Sequence, residues 1–293
     1  MNSSSRPADL TGRWHQAVRY FRMSVPAHTP LRPGLGGRTL GGPVTTTEGG
    51  PAWLRVMSSP RPEGKLWDGA VLADDLLDDA VPHPALLAVH TWQDAGAAFQ
   101  AHVWEQLTGS VLSPTPDLTS ASPPAVTAGW WRDLRAGTAG IRRTPVPPGR
   151  EVVTQAYIGR IHRFVPGLAG VELTARRWET AHGDLHWANL TRDPFQIIDW
   201  EGWGAAPEGY DAAVLHAYAL PAPGIAAKVR EVFADVLTGE TGRLAELVVA
   251  AQVIQAADRD EPHARLRPHV RRHAARLIQH IQRSASARHS TRR

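Results

Sequence analysis

Asp184, Asn189 and Asp199 fall in one short stretch, which reads HGDLHWANLTRDPFQIIDWEG from His182. Asn189 and Asp199 offer hard oxygen donors of the kind Mg²⁺ takes, usually one or two from protein while phosphates and waters complete the octahedron. Asp184 is then left to accept a proton from a hydroxyl. A base carboxylate, a metal-binding amide and a metal-binding carboxylate are the working parts of phosphoryl transfer, where the rate comes from positioning and charge neutralisation.

These side chains need a loop, a turn and a strand to hold them. HGDLH has no apolar periodicity and reads as a loop, whereas Phe195, Ile197 and Ile198 run like a buried strand that delivers Asp199 at its end. The short interval from Asn189 to Asp199 calls for a tight hairpin at Arg192-Asp193-Pro194. His182 and His186 flank Asp184 in an H-x-D-x-H pattern, so a transition-metal site is a second reading of the same residues. It leaves Asn189 and Asp199 unexplained, and His182 is instead expected to hold the loop through hydrogen bonds to backbone. Trp187, Trp200 and Trp203 are expected to pack beside the strand more than to line a substrate site.

His182 to Asn189, followed by Ile198-Asp199-Trp200-Glu201, resembles the paired motifs of the aminoglycoside phosphotransferase and choline kinase family, whose fold is protein-kinase-like. The resemblance implies that Asp184 is the catalytic aspartate, that Asn189 and Asp199 are the metal ligands, and that ATP and Mg²⁺ are co-substrate and cofactor, with GTP as the alternative donor. Asp211, in Gly209-Tyr210-Asp211, matches the family's structural aspartate and is expected to accept backbone donors at the start of a helix. Where the family carries a lysine for the nucleotide phosphates, this chain has Arg55. Arginine keeps the charge but is not a neutral exchange for lysine at a tight site. Lysine occurs only at Lys65 and Lys228, and Lys65 is the other available ammonium. Glu105-Gln106-Leu107 matches the segment whose main chain reads adenine, which makes Glu105 and Leu107 cofactor-binding positions.

The elements read from the chain agree with a two-lobed α+β plan, strand-rich first and helix-rich after, with no βαβ alternation. An amphipathic helix is expected from Asp9 to about Met23. Strands follow at Val44–Thr47, Ala52–Met57, Leu86–Trp92 and Ala97–Trp104, with a short acidic helix at Trp67–Asp79. Gly34-Leu35-Gly36-Gly37 and Gly41-Gly42 are candidates for backbone that approaches phosphate, though such clusters are more often plain linkers. Residues 1–108 would form the nucleotide-binding lobe, 109–127 a Ser/Thr/Pro-rich linker, 128–284 the helical catalytic lobe and 285–293 a basic tail. Helices are expected at Val126–Gly137 and Glu151–Phe164, and then at 210–220, 223–238, 242–257 and 265–283.

Composition bounds the rest. With 293 residues and ordinary apolar and charged fractions the chain can bury a sizeable core. It has no cysteine, which excludes disulfides and thiolate chemistry and fits a cytoplasmic protein. No apolar run is long enough to cross a bilayer. The net charge is +4, and the Arg/His-rich stretch from Arg265 to Arg293 contains no acid. A nucleic-acid patch is one reading of it, a solvated helix face the preferred one.

The function expected is transfer of phosphate to a hydroxyl of an antibiotic or metabolite, with no membrane or nucleic-acid partner. A polycationic aminoglycoside would need an acidic pocket, for which Glu201, Glu208, Asp258, Asp260 and Glu261 are available. The alternative, prompted by Arg55, is a catalytically weak or inactive kinase-like nucleotide-binding regulator.

Overall fold

A computed structural model describes residues 9–34, 37–94, 96–118, 125–169 and 171–290, without the side chains of 284–290. The chain divides into two compact units. One runs from the N-terminal helix to Asp75 and includes His83–Thr108; the other comprises Leu76–Pro82 and everything from Gly109 onward.

The first unit is an antiparallel sheet backed by a helix. Helix α1 (Leu10–Tyr20) starts where the Asp9 carboxylate accepts the Gly12 N–H, and it buries Trp14, Ala17 and Val18 at helical spacing. Strands β1 (Arg32–Pro33), β2 (Thr39–Thr45), β3 (Pro51–Ser59), β4 (Leu86–Asp94) and β5 (Ala97–Glu105) pair in the order β1-β2-β3-β5-β4, with helix α2 (Lys65–Leu76) between β3 and β4. Alternate residues of β3, namely Ala52, Leu54 and Val56, join Trp14, Val18, Val44 and Val103 in one core. The Trp14 indole N–H donates to the Leu54 carbonyl at 2.9 Å, pinning helix to sheet. Gly41 and Gly42 lie inside β2, not in a phosphate loop. A Cβ on Gly41 would come within 2.6 Å of the Trp53 indole, and one on Gly42 within 2.6 Å of Leu31, so these glycines make room for packing. Leu35 and Gly36 lie outside the described residues.

The second unit is mostly helical. Its elements are α3 (Ala128–Arg143), α4 (Gln155–Ile158), β6 (Trp178–Ala181), β7 (Gly204–Pro207), α5 (Tyr210–Ala219), α6 (Pro223–Val232), α7 (Ala234–Leu237), α8 (Glu240–Ala256) and α9 (Glu261–Ser290). Helix α5 is buried on every side, and apart from Asp211 and His216, which find hydrogen-bond partners, its sequence is apolar or aromatic. Two expectations need correction. The helix expected over Glu151–Phe164 is reduced to α4 and a 3₁₀ turn at Ile161–Arg163. Val152 N–H donates to Ala205 and Ala205 N–H to Arg150, so its first residues are drawn into extended pairing with β7. The segment expected as a linker is built into this unit as far as Leu118. Leu112 bonds to Leu190, and fully buried Asp117 takes the Nε and Nη2 of Arg265 at 3.1 Å each. The rest of that linker up to Pro124 lies outside the described residues.

Much of the basic C-terminal run is used internally. Besides Arg265, Arg267 pairs with Asp258 and His273 with Glu246. Among the described residues no helix is long and apolar enough to cross a membrane.

Candidate active site

Strand β6 ends at Ala181, and the next two backbone amides are fixed by one side chain. His182 N–H donates to Asp211 Oδ2 at 2.7 Å and Gly183 N–H to Oδ1 at 3.0 Å. Asp211 lies in the first turn of α5, whose N-cap is Gly209, so it serves the loop and not its own helix end. Gly183 takes φ 86°, and a Cβ there would stand 3.0 Å from the Gly202 carbonyl oxygen; the position needs glycine for both reasons.

His182 is fully buried and bonds at both ring nitrogens. Nδ1 accepts the Asp184 N–H at 3.2 Å, and Nε2 donates to the Ile198 carbonyl at 3.0 Å. Burial holds the imidazole below its ordinary pKa, consistent with this neutral tautomer. One ring therefore ties the Asp184 loop to the residue before Asp199, which leaves no nitrogen for the H-x-D-x-H metal reading.

Asn189 ends a 3₁₀ turn at Trp187–Asn189. Its Nδ2 donates to the Asp184 carbonyl at 2.9 Å, so the amide's Oδ1 is the atom left for a ligand. Its own carbonyl accepts the Ile198 N–H at 3.0 Å. A tight hairpin closes this return: Thr191 Oγ1 takes the Gln196 N–H and donates to the Pro194 carbonyl, both at 2.7 Å. Only a single bridge, Leu190 to Ile197, forms where a strand was expected, because the Ile197 N–H bonds outward to Pro82. Asp199 adopts φ 70°, a left-handed conformation that is uncommon away from glycine and concentrates at functional positions. Trp187, Trp200 and Trp203 are buried packing residues, as expected.

Asp184 lies within protein yet keeps 54% of its side chain exposed, because it forms the floor of an open cavity. Burial pushes its carboxyl up, but the His186 hydrogen bond and the nearby histidines outweigh that, and it titrates below its ordinary value. His186 Nε2 stands 3.4 Å from Asp184 Oδ2. Burial lowers the His186 pKa, the Asp184 and Asp199 charges raise it, and the balance is upward. His186→Ala is therefore expected to release Asp184 upward, since burial then dominates. The acid limb of the kcat/KM profile should move to higher pH; an unmoved limb would show that His186 does not tune Asp184.

The cavity has a volume of about 340 Å³. Tyr157, Tyr210 and Tyr218 line it together with Gln252, Gln255, Arg259 and His263. Its polar groups are cross-braced. Tyr157 Oη donates to Gln255 at 3.1 Å, Tyr210 Oη to Gln252 at 2.7 Å, and Tyr218 Oη meets His263 Nε2 at 2.8 Å. Among the described residues Asp184 is the one carboxylate in the lining. None of the acids expected to make an acidic pocket is in the lining: Glu208 pairs with Arg177, Asp258 with Arg267 and Glu261 with Arg265, Glu201 does not line the cavity, and Asp260 stands behind the lining, paired with His263.

The remaining candidates belong to the first unit. Arg55 is half-buried on β3, opposite Gly41 and His102. Burial first and then the Arg55 charge push His102 down to about 3. Glu105 closes β5 with its N–H donating to the Ala85 carbonyl at 2.9 Å, and Leu107 follows in the loop. Lys65 is the first residue of α2. Thus Asp184 and Asn189 are joined by a hydrogen bond in the second unit, and His182 and Asn189 both bond to Ile198, the residue before Asp199, whereas Arg55, Glu105 and Leu107 are strand and loop positions of the first. Sequence reasoning missed His186 as the partner of Asp184 and missed the cavity lining. Gln252, Gln255 and Arg259 recur at helical spacing, which is the signal that would have found that face.

The sequence matches no protein-family model and no curated protein. In structure it has the protein-kinase-like fold of small-molecule phosphotransferases. Amicoumacin kinase, solved with AMP-PNP, Ca²⁺ and its antibiotic, aligns over 93% of this chain and 94% of its own at a TM-score of 0.57 and 14% identity. Macrolide 2'-phosphotransferase MphH from Brachybacterium faecium aligns over 89% and 98% at 0.54 and 16% identity. Spectinomycin phosphotransferase, with ADP and spectinomycin, aligns over 94% and 98% at 0.53 and 12% identity. At these identities the likeness is one of fold.

Proposed function

We propose that this protein is a member of the aminoglycoside phosphotransferase and choline kinase family that transfers the γ-phosphate of ATP to a hydroxyl of a small molecule. The observation that supports the reading is Asp184 lining an open cavity and bonded through its carbonyl to Asn189, with both Asn189 and His182 tied to Ile198, the residue before Asp199. Asp184, ionised and oriented through its own backbone by His182 and Asn189, accepts the proton of the incoming hydroxyl. The donor set fits a hard divalent cation: Asn189 offers Oδ1, since its Nδ2 is committed, and Asp199 adds a carboxylate. Mg²⁺ there would neutralise charge on the phosphates. Arg55 binds nucleotide phosphate in the role that lysine has in the family, and the main chain at Glu105 and Leu107 binds the base. The AMP-PNP and ADP complexes of the structural neighbours support a nucleotide donor.

The cavity supports a narrower acceptor class. Three tyrosines and two glutamines present rings and neutral polar groups, and Arg259 adds a positive charge where a polycation would need several carboxylates. The acceptor is therefore an uncharged or anionic hydroxyl compound, not a polycationic aminoglycoside. The test is transfer from γ-labelled ATP to a panel of neutral glycosides, sugar acids and aminoglycosides. Labelled product from the first two groups, and at least tenfold slower transfer to aminoglycosides, is expected. Preference for aminoglycosides would overturn the acceptor class; nucleotide binding without transfer to any acceptor would favour the inactive regulator that Arg55 suggests.

A further inference from the structure

A second cavity, of about 620 Å³, opens in the same unit between α5, α6 and α9, and its lining does not include Asp184. Its charged lining has one sign. Arg230 comes from α6 and Arg272 and Arg276 from α9, joined by His216, His269 and His273; among the described residues no carboxylate lines the space. The remaining wall is apolar, built by Leu220, Pro221, Ala226 and Leu277 among others.

Part of this basic wall is preorganised by a carboxylate set behind it. Glu246 of α8 is 3% exposed, and its Oε1 accepts Arg230 at 2.7 Å, His273 Nε2 at 2.8 Å and His216 Nδ1 at 3.0 Å. These partners hold the Glu246 carboxyl down at about 2 against the upward push of burial. It remains ionised and fixes one guanidinium and two imidazoles in place. It offsets only one positive charge, which leaves the Arg272 and Arg276 guanidiniums uncompensated by anything in the lining. The two imidazoles and the carboxylate also have the residue types of a zinc site. Arg230 on the same carboxylate oxygen, with two further guanidiniums beside it, repels a divalent cation and attracts an anion.

We propose that this cavity is a binding site for an organic phosphate: a phosphoryl group held by Arg230, Arg272 and Arg276, with an apolar body against Leu220, Pro221 and Leu277. Guanidinium forks match phosphate oxygens in pairs, and the volume lies in the range of small-ligand sites. The site stands on its own lining and does not depend on the role given to Asp184.

Calorimetric titration of the full chain with 1-naphthyl phosphate tests it, with inorganic phosphate and 1-naphthol as partial ligands. One site is expected, with 1-naphthyl phosphate binding more tightly than either fragment. The double variant Arg272→Gln/Arg276→Gln, at exposed positions that leave the core intact, should weaken it at least tenfold. Asp184→Asn should leave that affinity unchanged, separating this cavity from the other one. Equal binding by the double variant, or equal affinity for naphthyl and inorganic phosphate, would overturn the proposal as mere surface charge. One equivalent of Zn²⁺ bound in place of the anion, and lost in His273→Gln, would overturn it in favour of a metal site.

Discussion

Replacing Asp184 by asparagine is expected to lower kcat by about 10²- to 10⁴-fold, the usual contribution of a positioned general base, while leaving nucleotide binding within a few fold of wild type. The substitution keeps the side chain's size and removes its ability to accept the hydroxyl proton. The loop should survive, because the hydrogen bonds that shape it use Asp184's backbone: its N–H to His182 and its carbonyl to Asn189. Asp199→Ala should show the opposite split, weakening magnesium–nucleotide binding itself, since a ligand is lost before any chemistry begins. Measuring nucleotide affinity by calorimetry and turnover by labelled transfer on both variants resolves the two roles. Wild-type turnover in Asp184→Asn would remove the base assignment.

The second large effect is expected at a residue that touches no substrate. Asp211→Ala leaves the His182 and Gly183 N–H groups without the carboxylate that satisfies both, in a fully buried setting. At about 1–3 kcal/mol for each orphaned buried donor, the loss is about 2–6 kcal/mol, read as a lower denaturation midpoint. Turnover should fall as well, by about 10²-fold, because displacing the loop by 1 Å misaligns Asp184. A distinct pH signature accompanies it. Burial pushes the Asp211 carboxyl up to about 6 from 3.8. Between those values the folded chain binds the proton more tightly than the unfolded chain, so this group's contribution falls as pH rises through the window and levels off above it. Asp211→Ala should lose that slope. A variant with unchanged stability and the same slope would mean that the loop is held by something else.

The residue types and spacing around Asp184 were sufficient to propose the chemistry, because the groups that phosphoryl transfer uses stand here in one short stretch. The periodicity of Trp14, Ala17 and Val18, and the alternation in β3, likewise exposed elements whose apolar pattern is written locally, although their stability comes from packing on each other. Glu151 and Val152 read as the start of a helix until β7 supplied backbone partners there, and Gly41 and Gly42 read as a loop until Trp53 and Leu31 filled the space above them. Those outcomes depend on residues far away in sequence, which no local pattern contains.

The same division holds at the site. From the sequence alone came the choice of Asp184, Asn189 and Asp199 as candidates and the expectation, met in the structure, that His182 holds the loop by hydrogen bonds to backbone. The tertiary structure decided that Asp211 anchors the loop and that His186 stands beside the Asp184 carboxylate. It also decided that the acids counted toward a cationic pocket pair with arginines or histidines or lie outside the cavity, while tyrosines, glutamines and Arg259 line it. Reactive groups are chosen by chemistry and can be read one residue at a time. The field and shape around them are sums over side chains from α4, α5, α8 and α9 and the turns beside them, and they exist only once those elements have packed.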